Sequence, residues 1–210
     1  MKRRKMFGFM LPSTFTGLGK ISCTNIEIKL ETLLKLFGYI DAARGEIGGL
    51  GEAILSGKSL RIKNVYLLPQ TASDARFFID ATQIAKFLER LDKEGKKIAI
   101  NLWWHSHGLT SLFWSKDDED TIESFGKQAP WWISLLLNKE GEIKVRLDIF
   151  SPFRLVIDNL PIRVIVSRNF LKEEWYQEVK EMVKERRDKQ WKSFLGKEKS
   201  LTLKNSDFKL

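Results

Sequence analysis

His105 and His107 are the two histidines of the chain, and a single residue separates them. A seven-residue spacer then leads to Ser115, and two further residues lead to Asp118, so the stretch reads H-x-H-x7-S-x-x-D. Residues i and i+2 of a strand point to the same side, so both imidazoles can reach one ion. Asp118 falls in the first turn of the helix expected to follow, and that turn can swing a carboxylate back to the strand end. Two neutral imidazoles and one carboxylate suit zinc, and three protein ligands leave the fourth position to water. A bound water acidified to a pKa near ~7 can attack at neutral pH. The chemistry predicted is metal-assisted hydrolysis with one catalytic Zn2+. The general base should not be a ligand, so it must come from elsewhere in the chain. Ser115 is placed to hydrogen-bond an oxyanion forming on a carbonyl under attack. Asp117 is the local rival to Asp118, and Asp117 and Asp120 read as charges at a helix N-terminus.

The neighbouring elements must position this stretch. Residues 97–104 are apolar on both faces, which predicts a central strand. Ser115 to Phe125 carries Ser at its start and acidic residues in its first turn, the signature of a helix N-terminus. Upstream, Ile26–Leu30 alternates as a strand and Glu31–Ala43 as an amphipathic helix. Residues 46–55 and 62–68 are predicted as paired strands around Ser56-Gly57-Lys58. Residues 70–75 read as a polar loop, either an ordinary surface loop or one that grips substrate, and 77–79 as a short extended piece. Ala81–Glu94 is predicted as a second helix. Strands are predicted at 131–137, 143–150, 154–157 and 162–166, with a hairpin turn at Asn138–Gly141. From Asn169 the pattern is helical, with Leu171, Trp175, Val179, Met182 and Val183 on a stripe expected to pack on its own domain. The expected class is α/β or α+β with a mixed sheet. The chain divides into a lead-in (1–24), the main domain (25–168), a C-terminal helix (169–195) and a flexible basic tail (196–210).

Composition sets the outer bounds. With 210 residues, 43% of them hydrophobic, the chain can bury the core of one full domain. Cys23 is the single cysteine, which excludes an intramolecular disulfide and a cysteine-built zinc knot and points to an inert thiol in a cytoplasmic protein. The apolar run at the N-terminus stops at Pro12, short for a secretion signal, and no stretch is long enough for a membrane span. The formal charge of +9 is spread over scattered basic residues. No register of cations and aromatics marks a nucleic-acid groove, so a solvated basic surface is expected.

H-x-H-x7-S-x-x-D resembles the signature of the JAMM/MPN+ (JAB domain) zinc metalloproteases. In that family an upstream glutamate opens a Gly-rich strand, and Glu46-Ile-Gly-Gly-Leu-Gly51 is similar to that pattern. The order of elements from residue 26 to about 167 is similar as well. The resemblance implies a mixed, curved sheet flanked by helices, with His105, His107 and Asp118 as zinc ligands. It further implies that Glu46 takes a proton from the attacking water and that Ser115 stabilises the tetrahedral intermediate. Glu52 lies on the same strand as the rival base, and Glu46 is preferred because it precedes Gly48-Gly49. Family members with the full set cut isopeptide or peptide bonds next to the C-terminus of ubiquitin or of ubiquitin-like proteins, and related prokaryotic members process small sulfur-carrier proteins of the same fold. Such a tail would pair as an added strand near Glu46 and the 70–76 loop. The alternatives are a peptidase of a phage-assembly or cell-wall system and a non-catalytic interaction module of the same fold. Gly108 stands where the family frequently has proline.

Overall fold

A computed structural model of the protein describes residues 25–56, 58–96, 98–183 and 200–203. The lead-in, Cys23 and most of the C-terminal tail lie outside the described residues. Strands β1 (Asn25–Lys29), β2 (Gly48–Ser56), β3 (Ser59–Leu67), β6 (Ile100–Ser106), β7 (Trp131–Leu137), β8 (Ile143–Ile149), β9 (Leu155–Asp158), β10 (Ile162–Ile165) and β11 (Ser200–Leu203) form one nine-stranded sheet, ordered β11-β10-β1-β3-β2-β6-β7-β8-β9. The sheet is mixed: β1 runs parallel to β3 and β10, β6 runs parallel to β7, and the other neighbours are antiparallel. Among the described residues four α-helices flank it, α1 (Leu30–Ala42), α2 (Ala81–Lys93), α3 (Lys116–Phe125) and α4 (Glu173–Met182). The α/β class with a mixed sheet is therefore as expected. Among the described residues, no helix is long and apolar enough to cross a membrane.

The sheet separates two apolar clusters. On one face Leu33, Leu36 and Ile40 of α1 pack with Ile26, Ile62, Trp104 and Leu135. On the other, Phe87 and Leu91 of α2 and Ile122 of α3 pack with Leu50, Trp103 and Trp132. Strand β6 feeds both clusters, through Leu102 and Trp104 on one side and Trp103 on the other. That is why Leu102, Trp103 and Trp104 are apolar at consecutive positions, as expected of a central strand.

Antiparallel pairing of β2 with β6 sets Gly48 opposite His105 and Leu50 opposite Trp103. A bulge interrupts the register after Gly51. There the Asn101 amide accepts from Ala53 N at 2.7 Å and donates to Ala53 O at 2.9 Å, satisfying groups that the bulge leaves out of the ladder. The glycines of β2 are where neighbours come closest. A Cβ on Gly49 would lie 2.1 Å from the Tyr66 carbonyl and 2.8 Å from the Trp104 ring, and one on Gly48 would lie 2.3 Å from the Phe77 ring.

Four expectations change. Residues 70–75 are not a plain loop: β4 (Thr71–Ser73) pairs with β5 (Arg76–Phe78) in a small separate hairpin. The helical run does not start at Asn169. A 3-10 turn at Arg168–Phe170 comes first, and α4 begins at Glu173. Its apolar stripe is not buried, since Trp175, Val179, Met182 and Val183 are all exposed. Within the tail, Ser200–Leu203 is a strand that extends the sheet beside β10.

Gly49→Ala tests how closely β2 is packed. The added methyl meets a backbone carbonyl that cannot swing away, so urea unfolding should show a loss of about 1–3 kcal/mol or more. A variant as stable as wild type would contradict the close approach.

Candidate metal centre

His105 is the buried penultimate residue of β6, and His107 follows just past the strand, its N–H donating to Leu137 O at 2.9 Å. Ser106, between them, faces the other way. Its hydroxyl accepts from Ile47 N at 3.0 Å and so ties the start of β2 to the strand that carries the histidines. Both imidazoles project toward the N-terminus of α3. Ser115 is the N-cap of that helix and forms a full capping box with Asp118. The Ser115 hydroxyl and backbone N–H both donate to Asp118 Oδ2, at 2.7 and 2.8 Å, while the Asp118 N–H donates to Ser115 Oγ at 3.2 Å. The cap that starts the helix therefore also aims the carboxylate.

His105 Nε2 lies 3.1 Å from Asp118 Oδ1, and His107 Nε2 lies 3.7 Å from Asp118 Oδ2. One donor atom from each of the three residues lies within 4.8 Å of the other two, and all three residues are buried. Tetrahedral bonds of about 2.0–2.1 Å put ligand atoms about 3.3 Å apart, a separation that these two contacts straddle. His105 is buried, yet neither of its ring nitrogens has an aligned hydrogen-bond partner. A buried orphan nitrogen is costly, and a cation on its lone pair removes that cost. The residues present therefore fit a divalent metal ion.

The electrostatics suit the same role. Burial pushes the His105 imidazole below its ordinary pKa, which keeps it neutral and available as a ligand. Burial also acts to lower His107, but the nearby Asp118 and Glu46 carboxylates and a backbone hydrogen bond at Ser111 outweigh it and raise the pKa. Burial alone would raise Asp118. Its close contacts with the two histidines and the hydrogen bond from the Ser115 hydroxyl instead hold it far below the usual carboxylate range.

Glu46 immediately precedes Ile47 and β2, and its N–H donates to Ser73 O at 2.9 Å. Its carboxyl is half-buried and raised, chiefly by burial, and its charge couples to both His107 and Asp118. The structure thus brings Glu46, His105, His107, Ser115 and Asp118 together. The rival Glu52 pairs with Ile100 near the bulge and accepts from Asn64 Nδ2 at 2.8 Å, away from the histidines. Asp117 is exposed and lies 3.9 Å from Arg76.

Aromatic rings frame the centre. Trp103 stacks on His105 at 4.2 Å, with Phe77 and Trp114 at 6.0 and 6.1 Å from the same ring. Phe113 meets His107 edge-on at 5.2 Å and remains exposed. Trp104 points into the opposite core. Gly108 has φ +48°, a value that the proline ring cannot adopt. A proline at this position would therefore force the loop onto another course.

Sequence reasoning missed Gln70. Its amide accepts from Gly48 N at 3.0 Å and donates to Gly48 O at 2.8 Å. Together with the Glu46–Ser73 bond, this fills the edge at 46–48 where an added substrate strand was expected. A tail could pair there only by displacing Gln70. The contact spans 22 residues of sequence, and a glutamine after a proline gives no local sign of it.

In a metal titration, the protein should take up one equivalent of zinc, with stabilisation of about 2.7 kcal/mol at a hundredfold excess over Kd. His107→Ala should abolish the shift in melting midpoint. A wild-type midpoint indifferent to metal would rule the centre out. A scan against protein-family models finds no match, and no curated protein is significantly similar, so the centre is characterised by its own geometry.

Proposed function

We propose that this chain is a zinc-dependent metalloprotease of the JAMM/MPN+ type that hydrolyses an isopeptide or peptide bond at the C-terminal tail of ubiquitin or of a ubiquitin-like or sulfur-carrier protein. The observation that carries the reading is the convergence of His105, His107 and Asp118, buried and within 4.8 Å of one another, beside a raised glutamate. A structural zinc site commonly uses four protein ligands, whereas three leave a position for water.

Zinc bound here would supply Lewis acidity and bring a coordinated water to a pKa near ~7. The chain's own residues do the rest. The half-buried Glu46 accepts a proton as the water oxygen bonds to the substrate carbonyl carbon. As the C–N bond breaks, Glu46 returns that proton to the leaving amine nitrogen. Burial, which raises Glu46, makes it a better proton acceptor than a solvated carboxylate. Ser115 first holds Asp118, because its hydroxyl proton is directed at Oδ2. To stabilise the oxyanion, that hydroxyl turns from the carboxylate toward the substrate. The aromatic frame of Phe77, Trp103 and Trp114 keeps water other than the nucleophile away and strengthens each electrostatic contact.

The test is cleavage of ubiquitin-like fusions ending in Gly-Gly by the zinc-loaded full chain, alongside Glu46→Gln. That variant should bind zinc normally and lose about 10²–10⁴ in kcat. Equal cleavage by Glu46→Gln would refute the mechanism. Cleavage of peptidoglycan stem or virion peptides, with ubiquitin-like tails left intact, would replace the substrate class and retain the chemistry.

A further inference from the structure

Beyond the ligands, one buried cation sits directly behind the helix that carries Asp118. Arg146 of β8 is almost fully buried, its side chain 6% exposed. Its guanidinium makes a two-pronged contact with Glu119, Nη1 to Oε1 and Nη2 to Oε2, the latter at 2.9 Å. From the other side Nε and Nη2 donate to Asp148 Oδ1 at 3.1 and 2.9 Å. Asp148 is wholly buried, and Arg154 reaches the same oxygen at 2.7 Å. The Trp114 ring lies 5.8 Å from the Arg146 guanidinium carbon, and its indole N–H donates to Asp158 of β9 at 3.1 Å.

Glu119 is the residue after Asp118 and shares the first turn of α3 with it. The capping box fixes Asp118 relative to its own turn, but nothing in a cap fixes the turn relative to the sheet. At its far end α3 is anchored by the buried Ile122 and by Phe125 stacked on Trp132 at 4.2 Å. At its near end the Arg146–Glu119 fork performs that task. A two-pronged guanidinium–carboxylate contact sets orientation as well as distance. It therefore limits roll of the helix about its axis, the motion that would carry Asp118 off the two imidazoles. A buried ion network adds little net stability for its desolvation cost, so a geometric role accounts for it better than a stabilising one.

We infer that Arg146, acting through Glu119, is a positioning residue for the metal centre that holds the Asp118 carboxylate in register with His105 and His107. The inference rests on the metal-centre reading above. Outer partners of this kind are worth about 10–100-fold in metal affinity. The experiment is competition for zinc against a chromophoric chelator, together with the visible spectrum of the cobalt-substituted protein. It uses the full chain as wild type, Glu119→Gln, Arg146→Lys and His107→Ala.

Glu119 is 46% exposed, so Glu119→Gln should fold normally, with the melting midpoint of the metal-free protein unmoved. Its zinc affinity should fall about 10-fold or more, and its cobalt bands should shift. Arg146→Lys keeps the charge without the fork and should fall between wild type and Glu119→Gln. If Arg146→Lys fails to fold because Asp148 is left under-compensated, Glu119→Gln alone decides. Wild-type affinity and spectrum in Glu119→Gln, with His107→Ala losing metal, would overturn the positioning role and leave the metal centre standing. Absence of metal binding in wild type would overturn both.

Discussion

The antiparallel register between β2 and β6 is the constraint on which the site depends. Side chains alternate along a strand, so a slip of one residue would turn every side chain of β6 to the opposite face. His105 and His107 would then enter the α1 core, and Trp104 would face α3. Several features prevent the slip. Trp103 and Trp104 are large residues committed to opposite cores, Gly49 fits only where Tyr66 and Trp104 press against it, and Ser106 ties its hydroxyl to Ile47. The bulge after Gly51, satisfied by Asn101, marks the register at the other end of the pairing. The geometry of the candidate metal centre is a by-product of core packing, because the rings that lock the strands also fix the direction of the imidazoles.

The second dependency is local. Ser115 begins a helix in the ordinary way, and the residue that completes its capping box is Asp118. Glutamate or glutamine is the common partner in such a box. The shorter aspartate does the same work while keeping its carboxylate close to the backbone and turned toward the strand end. One side chain thus serves both the helix N-terminus and the two histidines, and burial without those partners would raise its pKa.

Much of this was legible in the sequence. Helices α1, α2 and α3 announce themselves through 3.6-residue periodicity and, for α3, through Ser115 and the acids behind it. The doubly apolar run of β6 predicts a central strand, and the spacing of His105, His107, Ser115 and Asp118 identifies the cluster. Glu46 was reachable only through resemblance, since no short-range rule joins a glutamate to histidines two elements later. The clasp of Gln70 on Gly48 and the fork of Arg146 on Glu119 were invisible for the same reason. Each is a long-range contact between residues whose types are ordinary on a surface. Strand β4 is too short at three residues to show alternation. The stripe of α4 has the periodicity of a packed helix, but periodicity reports what a face could bury and does not say what lies against it.

The row that joins Leu55, Leu60, Ile26, Ile162 and Leu203 across five strands lies at the end of the sheet opposite Gly48 and His105. Seven residues of β2 separate Leu55 from Gly48, on the order of 20 Å at strand rise. The segment before Asn25, which carries the basic cluster Lys2–Lys5, and the segment after Leu203 therefore join the folded unit side by side and remote from the histidines. Handles for purification, fluorophores or surface tethers attached through either flank enter the sheet at its far end, which leaves the end that carries Gly48 and His105 away from the point of attachment.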